Sequence, residues 1–533
     1  MSDVQRALCS FQEVVGRDHT HIDDAALQRY GWCTTPVRKR ILAAVQPADI
    51  DEIRKILEIA AREQIPLYPI STGNNWGYGD AQPARDGAVI LDLGRLNRIV
   101  EVNADLAYAV VEPGVTQQQL YDYLTERKLP LWLNPTGAGP SCSILGNTLE
   151  RGFGIGPGGD HFLSQCGMEV MLASGEILRT GFGHFPGAKS AHVYKWGTGP
   201  YLDGIFTQSN FGIVTKIGVW LIPAPEHFEA CYFTCFSEEQ LASLVEGIRQ
   251  LQVWRVFEGP VNILHRNRLL IMLDRYPWDA MNGATPLSEQ LASRLAAKRK
   301  IGAWNGVGAI YGSRAQVQAA RRTIRQVLRN KVDRITFLSD NKLRWISAHP
   351  GLAGILLGPN VPEFLNTLKS SYGMLKGIPS EVALKLAYWR NRQPLPSTTG
   401  LNPARDRCGV LWFAPVIPMT SRDVLEFRRL IQPVFAKYRF ETCMTLTAIN
   451  ERCFDCTLPI LFDRDNPAEI ESAQACHAEL VRTCAEHGYY AYRLGLQAMA
   501  GEVERKDVFW DVVTRLKSAL DPDGILAPGR YAR

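Results

Sequence analysis

Apolar residues at Ile50, Ile53, Ile56, Leu57 and Ala60 recur at the spacing of a buried helix stripe, and Asp49 with Glu52 stands at its start as a capping box. The short apolar run Leu67 to Ile70 comes next at strand length, so the segment reads as an αβ unit. Overlapping its end is Pro69 to Gly79 (PISTGNNWGYG), a turn punctuated by glycine and carrying Tyr78. Glycine lets backbone N–H groups converge on an anion without a Cβ in the way, which makes this turn a candidate phosphate loop. Downstream, Ala88 to Leu93 and Tyr108 to Val111 read as strands, and Thr116 with Gln119 caps a helix through Tyr123 and Leu124. Met168 to Leu172 and Glu176 to Leu178 flank a Ser174-Gly175 turn as a hairpin. Residues 41 to 222 therefore read as α+β with antiparallel pairs rather than a doubly wound parallel sheet. No G-x-G-x-x-G comes after the first strands, so a Rossmann dinucleotide site is not supported.

From about residue 225 glycine thins and longer amphipathic helices appear, at Glu239 to Leu251, Ser288 to Ala297, Arg314 to Leu328 and Asp423 to Tyr438. Strands at Val261 to Leu264, Ala309 to Tyr311 and Val410 to Ala414 lie between them, which predicts a second α+β domain with helices over one sheet. A last helix, Glu469 to His487, leads into Tyr489 to Arg493, and the chain closes with Asp521 to Arg530.

Length and charge narrow the function. A chain of 533 residues is long enough for roughly two to four domains and a large cofactor. Its net charge of +5 is spread along the chain, and the clusters Arg38 to Arg40 and Lys298 to Lys300 read as solvated faces, so nucleic acid is not an expected partner. No apolar run reaches about 18 residues and no signal core stands at the N-terminus, so the expectation is no membrane and a cytoplasmic location. The 12 cysteines lack regular spacing, Cys453 and Cys456 form a lone CxxC, and Cys231 with Cys235 has the wrong spacing to complete it; no metal site is expected.

Three further segments are dense in small residues with donors: Gly139 to Gly152, Gly156 to Val170, and Gly199 to Lys216 (GPYLDGIFTQSNFGIVTK). With Pro69 to Gly79, Ala491-Tyr492-Arg493 and Asp521 to Arg530 (DPDGILAPGR), their order and separations resemble the FAD-linked family of vanillyl-alcohol oxidase and the p-cresol methylhydroxylase flavoprotein. The resemblance covers nearly the whole chain. It implies a p-cresol methylhydroxylase-type FAD-binding domain from residues 1–225 and 480–533, with an α+β substrate cap at 226–479 inserted between them. It also implies that Ser71, Thr72, Gly73, Asn74, Asn75, Ser143, Gly146, Asn147, Glu150, Gly152, Asp160, His161, Gly212, Ile213 and Val214 surround FAD, with Arg530 near its reducible ring.

Members of this branch oxidise 4-substituted phenols, and the resemblance places Tyr78, Tyr492 and Arg493 around the phenol oxygen. A phenol is mostly neutral at pH 7, whereas hydride leaves its para side chain readily only from the anion, so a buried cation and two hydroxyl donors supply the needed bias. In a regular strand Tyr492 and Arg493 would point to opposite faces, so they share one ligand only if the backbone bends or Arg493 reaches around.

Two departures from the family pattern stand out. The position matching a covalent flavin tether is Val410, with Cys408 nearby, so FAD is expected to be noncovalent. The segment that in relatives carries an aspartate for water addition reads Gly137-Ala138-Gly139. The resemblance leaves the electron acceptor open between oxygen and a separate c-type cytochrome, and implies a homodimer or higher oligomer. The rival readings are a flavin enzyme of the same fold acting on a non-phenolic alcohol, hydroxy acid or natural-product intermediate, and a noncatalytic flavin-binding subunit.

Overall fold

The computed structural model describes residues 3–349, 361–395 and 399–532. Its first sheet grows from the αβ unit. Asp49 caps the helix Ile50–Glu63 by accepting from the N–H groups of Asp51 and Glu52, both at 2.9 Å. The expected capping box is only half formed: Glu52, at the third helical position, accepts from Ala48 N–H at 2.6 Å instead of from the N–H of Asp49. Ile53, Ile56, Leu57 and Ala60 are buried against the N-terminal helix Asp3–Val15 and the sheet. Leu67–Ile70 then runs parallel to Ala88–Asp92, which is also parallel to Ile41–Val45, with Thr20–His21 antiparallel at the edge. The parallel pairs are confined to this small sheet.

A second sheet, all antiparallel, has the order Ile99–Asn103, Tyr108–Val111, Ile213–Trp220, Gln165–Met171, Ile177–Arg179. Its last two strands are the expected hairpin, with Val170 opposite Leu178.

The third and largest sheet is antiparallel throughout and lies between residues 227 and 463. Its strand Trp304–Gly312 extends well beyond the expected Ala309 to Tyr311. Gly306 and Gly308 mask it in the sequence: a Cβ at Gly306 would lie 1.9 Å from the ring of Phe233 on the neighbouring strand, so glycine makes room for an aromatic across the sheet. Helices Leu241–Val253, Arg314–Leu328, Ser421–Lys437 and Pro467–Ala485 bury their apolar stripes in the large core on this sheet.

The chain end returns to the beginning. Leu67 N–H donates to Ile525 O at 2.8 Å and Ala527 N–H to Leu67 O at 2.7 Å, which sets the last residues beside the first sheet. Buried Lys517 pins them further, donating to the carbonyls of Asn210 and Leu526 and pairing with Asp521. Among the described residues, no helix is long and apolar enough to cross a membrane.

Candidate active site

The turn after Leu67–Ile70 has two halves with different tasks. In Thr72 to Asn75 no backbone N–H has a hydrogen-bond partner among the described residues, so the first half offers a row of donors. The second half is partly satisfied within the chain. Gly77 N–H donates to Thr34 Oγ1 at 2.7 Å, and the N–H groups of Tyr78 and Asp80 both donate to Asn75 O. Gly77 and Gly79 are there for close approach at positive φ: a Cβ would lie 2.3 Å from Trp412 Cδ1 at the first and 2.5 Å from Leu496 Cδ1 at the second.

One cleft collects most of the residues singled out in the sequence. Ser71, Thr72, Gly73, Asn74, Asn75, Ser143, Gly146, Asn147, Glu150, Gly212, Ile213, Val214, Arg493 and Arg530 all line it, around about 1060 Å³ of space that includes its open mouth. Gly152, Asp160 and His161 are set back from it. His161 holds Asn147, with Nδ1 2.6 Å from Asn147 Oδ1, and burial lowers its imidazole to about 4, so it stays neutral. Asp160 accepts from the N–H groups of Phe162 and Leu163 and fixes that turn, while a Cβ on Gly152 would strike Asn147.

Polar groups left open in the cleft suit a dinucleotide flavin. Besides the free N–H row, buried Asn210 has an unpartnered Oδ1, and Arg530 and Arg493 bring two cations. Glu150 joins these two, contacting Arg530 through one oxygen and lying 3.2 Å from Arg493 Nε through the other. Arg530 Nη1 also donates to Tyr68 at 2.8 Å, so the last turn of the chain is held on the first sheet. Backbone donors for phosphates, a guanidinium for a ring that gains negative charge on reduction, and a long cleft are what FAD asks of a protein.

Tyr78 and Tyr492 meet at Arg493. The guanidinium lies 4.2 Å from the ring centroid of Tyr78, and its Nη2 donates to Asn75 Oδ1 at 2.5 Å. The backbone bends at the required place. Ala491 still pairs with Pro415 and Tyr492 N–H reaches Ala414 O at 3.1 Å, but Tyr492 and Arg493 then turn out of the strand. Burial pushes both phenols up, opposed by Arg493, so both are hydroxyl donors at neutral pH.

Asp455 belongs to the same cluster, and sequence reasoning does not reach it. It is buried in the strand Cys453–Asp463 with Oδ1 unpartnered, and burial pushes its carboxyl up to about 7 despite the opposing charge of Arg493. The available signal is an acid inside a mostly apolar strand that ends in Asp463, and the flanking Cys453 and Cys456 turn it into a question about metal. Among the described residues no cluster of His, Cys, Asp or Glu can hold a metal ion.

Comparison with known proteins bears on the family and the cofactor. Residues 41–181 match the FAD binding domain model and residues 421–531 the model for the C-terminal domain of FAD linked oxidases. The chain is 39% identical to 1'-carboxy-chondrochloren decarboxylase of Chondromyces crocatus, covering 99% of this chain and 97% of the relative. It is 31% identical to the flavoprotein subunit of hydroxylating 4-cresol dehydrogenase of Pseudomonas putida, covering 99% and 95%. The crystal structure of p-cresol methylhydroxylase with substrate bound superposes with a TM-score of 0.89 at 29% identity, covering 99% of this chain and 96% of the other.

Proposed function

The chain belongs to the FAD-linked oxidases of p-cresol methylhydroxylase type, and from that premise we propose that it removes hydride from the benzylic carbon of a 4-substituted phenol. The observation that carries this reading is the convergence of Tyr78, Tyr492 and Arg493 in one buried cluster beside the cleft. FAD, held by the loops at Ser71 to Asn75, Ser143 to Glu150 and Gly212 to Val214, supplies the hydride acceptor.

The residues of this chain prepare the substrate for that loss. Tyr78 and Tyr492 donate hydrogen bonds to the phenol oxygen and Arg493 neutralises it, which favours the phenolate by the same effect that a nearby cation has on any acid. Asp455, with a carboxyl titrating near 7 in the same cluster, is the base that takes the phenol proton. The phenolate oxygen then pushes electrons through the ring and leaves a p-quinone methide. Val410, buried and packed against Gly77, offers no atom for a flavin bond, and burial pushes the Cys408 thiol up to about 12, so FAD is held noncovalently. Residues 226–479 act as the cap over this site. Electrons leave to oxygen or to a separate cytochrome, and oxygen consumption during turnover distinguishes them.

Anaerobic mixing with p-cresol, 4-ethylphenol or vanillyl alcohol is expected to bleach the flavin. Tyr492→Phe and Arg493→Ala are each expected to slow bleaching by about 100- to 1000-fold, the effect of losing one preorganised group at a developing charge. Absence of bleaching with every phenol, or full tolerance of both substitutions, overturns the reading. The alternative of a natural-product intermediate draws on the 39% identical relative, whose name specifies a carboxylated compound and a decarboxylation.

A further inference from the structure

Arg268 lies in the helix Arg266–Leu273, which continues directly from the strand Val261–His265 of the largest sheet. Its Nε and Nη1 are enclosed and have no hydrogen-bond partner, and no carboxylate pairs with it among the described residues. Among the described residues, the ionisable group beside it is the buried thiol of Cys443, which burial keeps protonated and uncharged. Burial lowers the guanidinium to about 10, which leaves it cationic at neutral pH.

Its surroundings lead to the phenol cluster. The guanidinium lies 5.3 Å from the ring centroid of Trp412, and Trp412 Cδ1 in turn lies 2.3 Å from where a Cβ on Gly77 would stand. Trp412 N–H donates to Gly77 O at 3.4 Å. Trp76 packs into the same apolar cluster as Trp412 and donates from Nε1 to Ala138 O at 3.0 Å. The segment Trp76 to Tyr78 is thus bordered by two cations, Arg493 on the ring of Tyr78 and Arg268 behind the indole of Trp412. Through Trp76 it also touches Gly137 to Gly139, where the sequence has no carboxylate.

Arg268 is half-buried, but two enclosed guanidinium nitrogens without a partner or counter-charge are unfavourable, and a ligand that brings an anion removes the cost. We propose that Arg268 anchors a carboxylate on the substrate, so that the substrate class is a 4-hydroxyphenyl compound with a carboxyl group on its side chain. The ring end rests on the phenol reading above; the carboxyl end does not.

A carboxylated side chain changes the fate of the quinone methide. With the carboxyl on the carbon next to the benzylic one, the phenol gives up one proton and the benzylic carbon one hydride to oxidised FAD. The carbon–carboxyl bond then breaks and the carboxyl leaves as CO2. Its electron pair forms the carbon–carbon double bond of a 4-hydroxystyrene, and the quinone methide returns to phenolate. No water is consumed, which suits a site lacking a carboxylate at Gly137 to Gly139.

The test uses the holoenzyme with 3-(4-hydroxyphenyl)propanoate, its neutral counterpart 4-propylphenol, and unreactive 3-phenylpropanoate. Wild type is expected to favour the hydroxyphenyl acid over 4-propylphenol in kcat/KM by about 100-fold, the worth of a bidentate charge-assisted contact. Arg268→Met is expected to collapse that ratio toward one, and Arg268→Lys to restore part of it. 3-Phenylpropanoate is expected to perturb the flavin spectrum of wild type and not of Arg268→Met. Wild type alone decides the matter if Arg268→Met fails to fold: no preference for the acid overturns the anchor. An unchanged ratio in Arg268→Met overturns it too. If neither phenol reduces the flavin while 3-phenylpropanoate binds in an Arg268-dependent way, the phenol reading falls and the anchor stands. Release of one CO2 per two electrons is expected from the acid, and a hydroxylated acid as product overturns the decarboxylating step.

Discussion

Arg390 and Arg268 both sit in apolar surroundings next to the largest sheet, yet the chain treats them in opposite ways. Arg390 is 1% exposed and closed on all sides. Its Nη2 donates to Arg439 O at 2.8 Å and to both oxygens of Glu441, its Nη1 reaches Glu469 at 3.4 Å, and Trp389 Nε1 shares Glu441. Arg268 has two enclosed nitrogens and none of these partners. Asp455 resembles it: a buried acid with an open oxygen near Tyr78, Tyr492 and Arg493. Arg390 is paired with carboxylates within the chain, although its Nε has no partner, whereas Arg268 and Asp455 beside the phenol cluster have no ion pair among the described residues. Carboxylate pairing separates these two arginines.

The sharpest way to break this comparison is to remove each arginine in turn. Arg390→Met leaves Glu441 buried and uncompensated, and is expected to cost about 3–5 kcal/mol of stability. Arg268→Met removes an unpaired charge instead and is expected to leave stability level or slightly raised. Equilibrium denaturation of the two holo-variants measures both. Equal destabilisation would show that Arg268 is as structural as Arg390.

Asp455 gives the next largest effect, visible in pH. Folding raises its carboxyl from 3.8 to about 7, so the folded chain keeps a proton that the unfolded chain releases within that window. The stability this contributes is full below about pH 4 and is lost as pH rises to 7, a difference of at most about 4 kcal/mol. Asp455→Asn is expected to abolish this part of the decline, gaining on wild type between pH 5 and pH 8 in denaturation midpoints. It is also expected to remove a rising limb near pH 7 from the kcat/KM profile. A profile identical to wild type would deny Asp455 its place as the base.

The same contrast explains which residues the sequence reveals. The cleft is legible because its loops need glycine, serine and asparagine in runs, and such runs stand out against apolar flanks. Tyr78, Tyr492 and Arg493 are legible through motifs that match a family, and no spacing rule would join residues 78 and 492. Asp455 and Arg268 are hidden for the opposite reason. Asp455 lies among mostly apolar strand residues and Arg268 two positions from Arg266 in its helix, and what marks each is a polar atom without a partner, which only the fold reveals. The strand Trp304–Gly312 reads short in the same way, since the glycines that weaken its pattern are explained only by Phe233 across the sheet.

Asp49 supplies the mildest test, a polar group that is paired and far from the chemistry. Its carboxylate satisfies two N–H groups at the start of Ile50–Glu63, while Glu52 satisfies only that of Ala48. Asp49→Ala is expected to cost about 1 kcal/mol, the usual value of an N-cap, and Glu52→Ala less. Because the helix carries the strand that delivers Ser71 to Asn75, thermal denaturation should register the loss while kcat/KM for a phenol stays near the wild-type value. If Asp49→Ala instead slows hydride transfer by about 10-fold or more with the fold intact, paired groups too would tune the chemistry, and the division between closed and open polar residues would not hold.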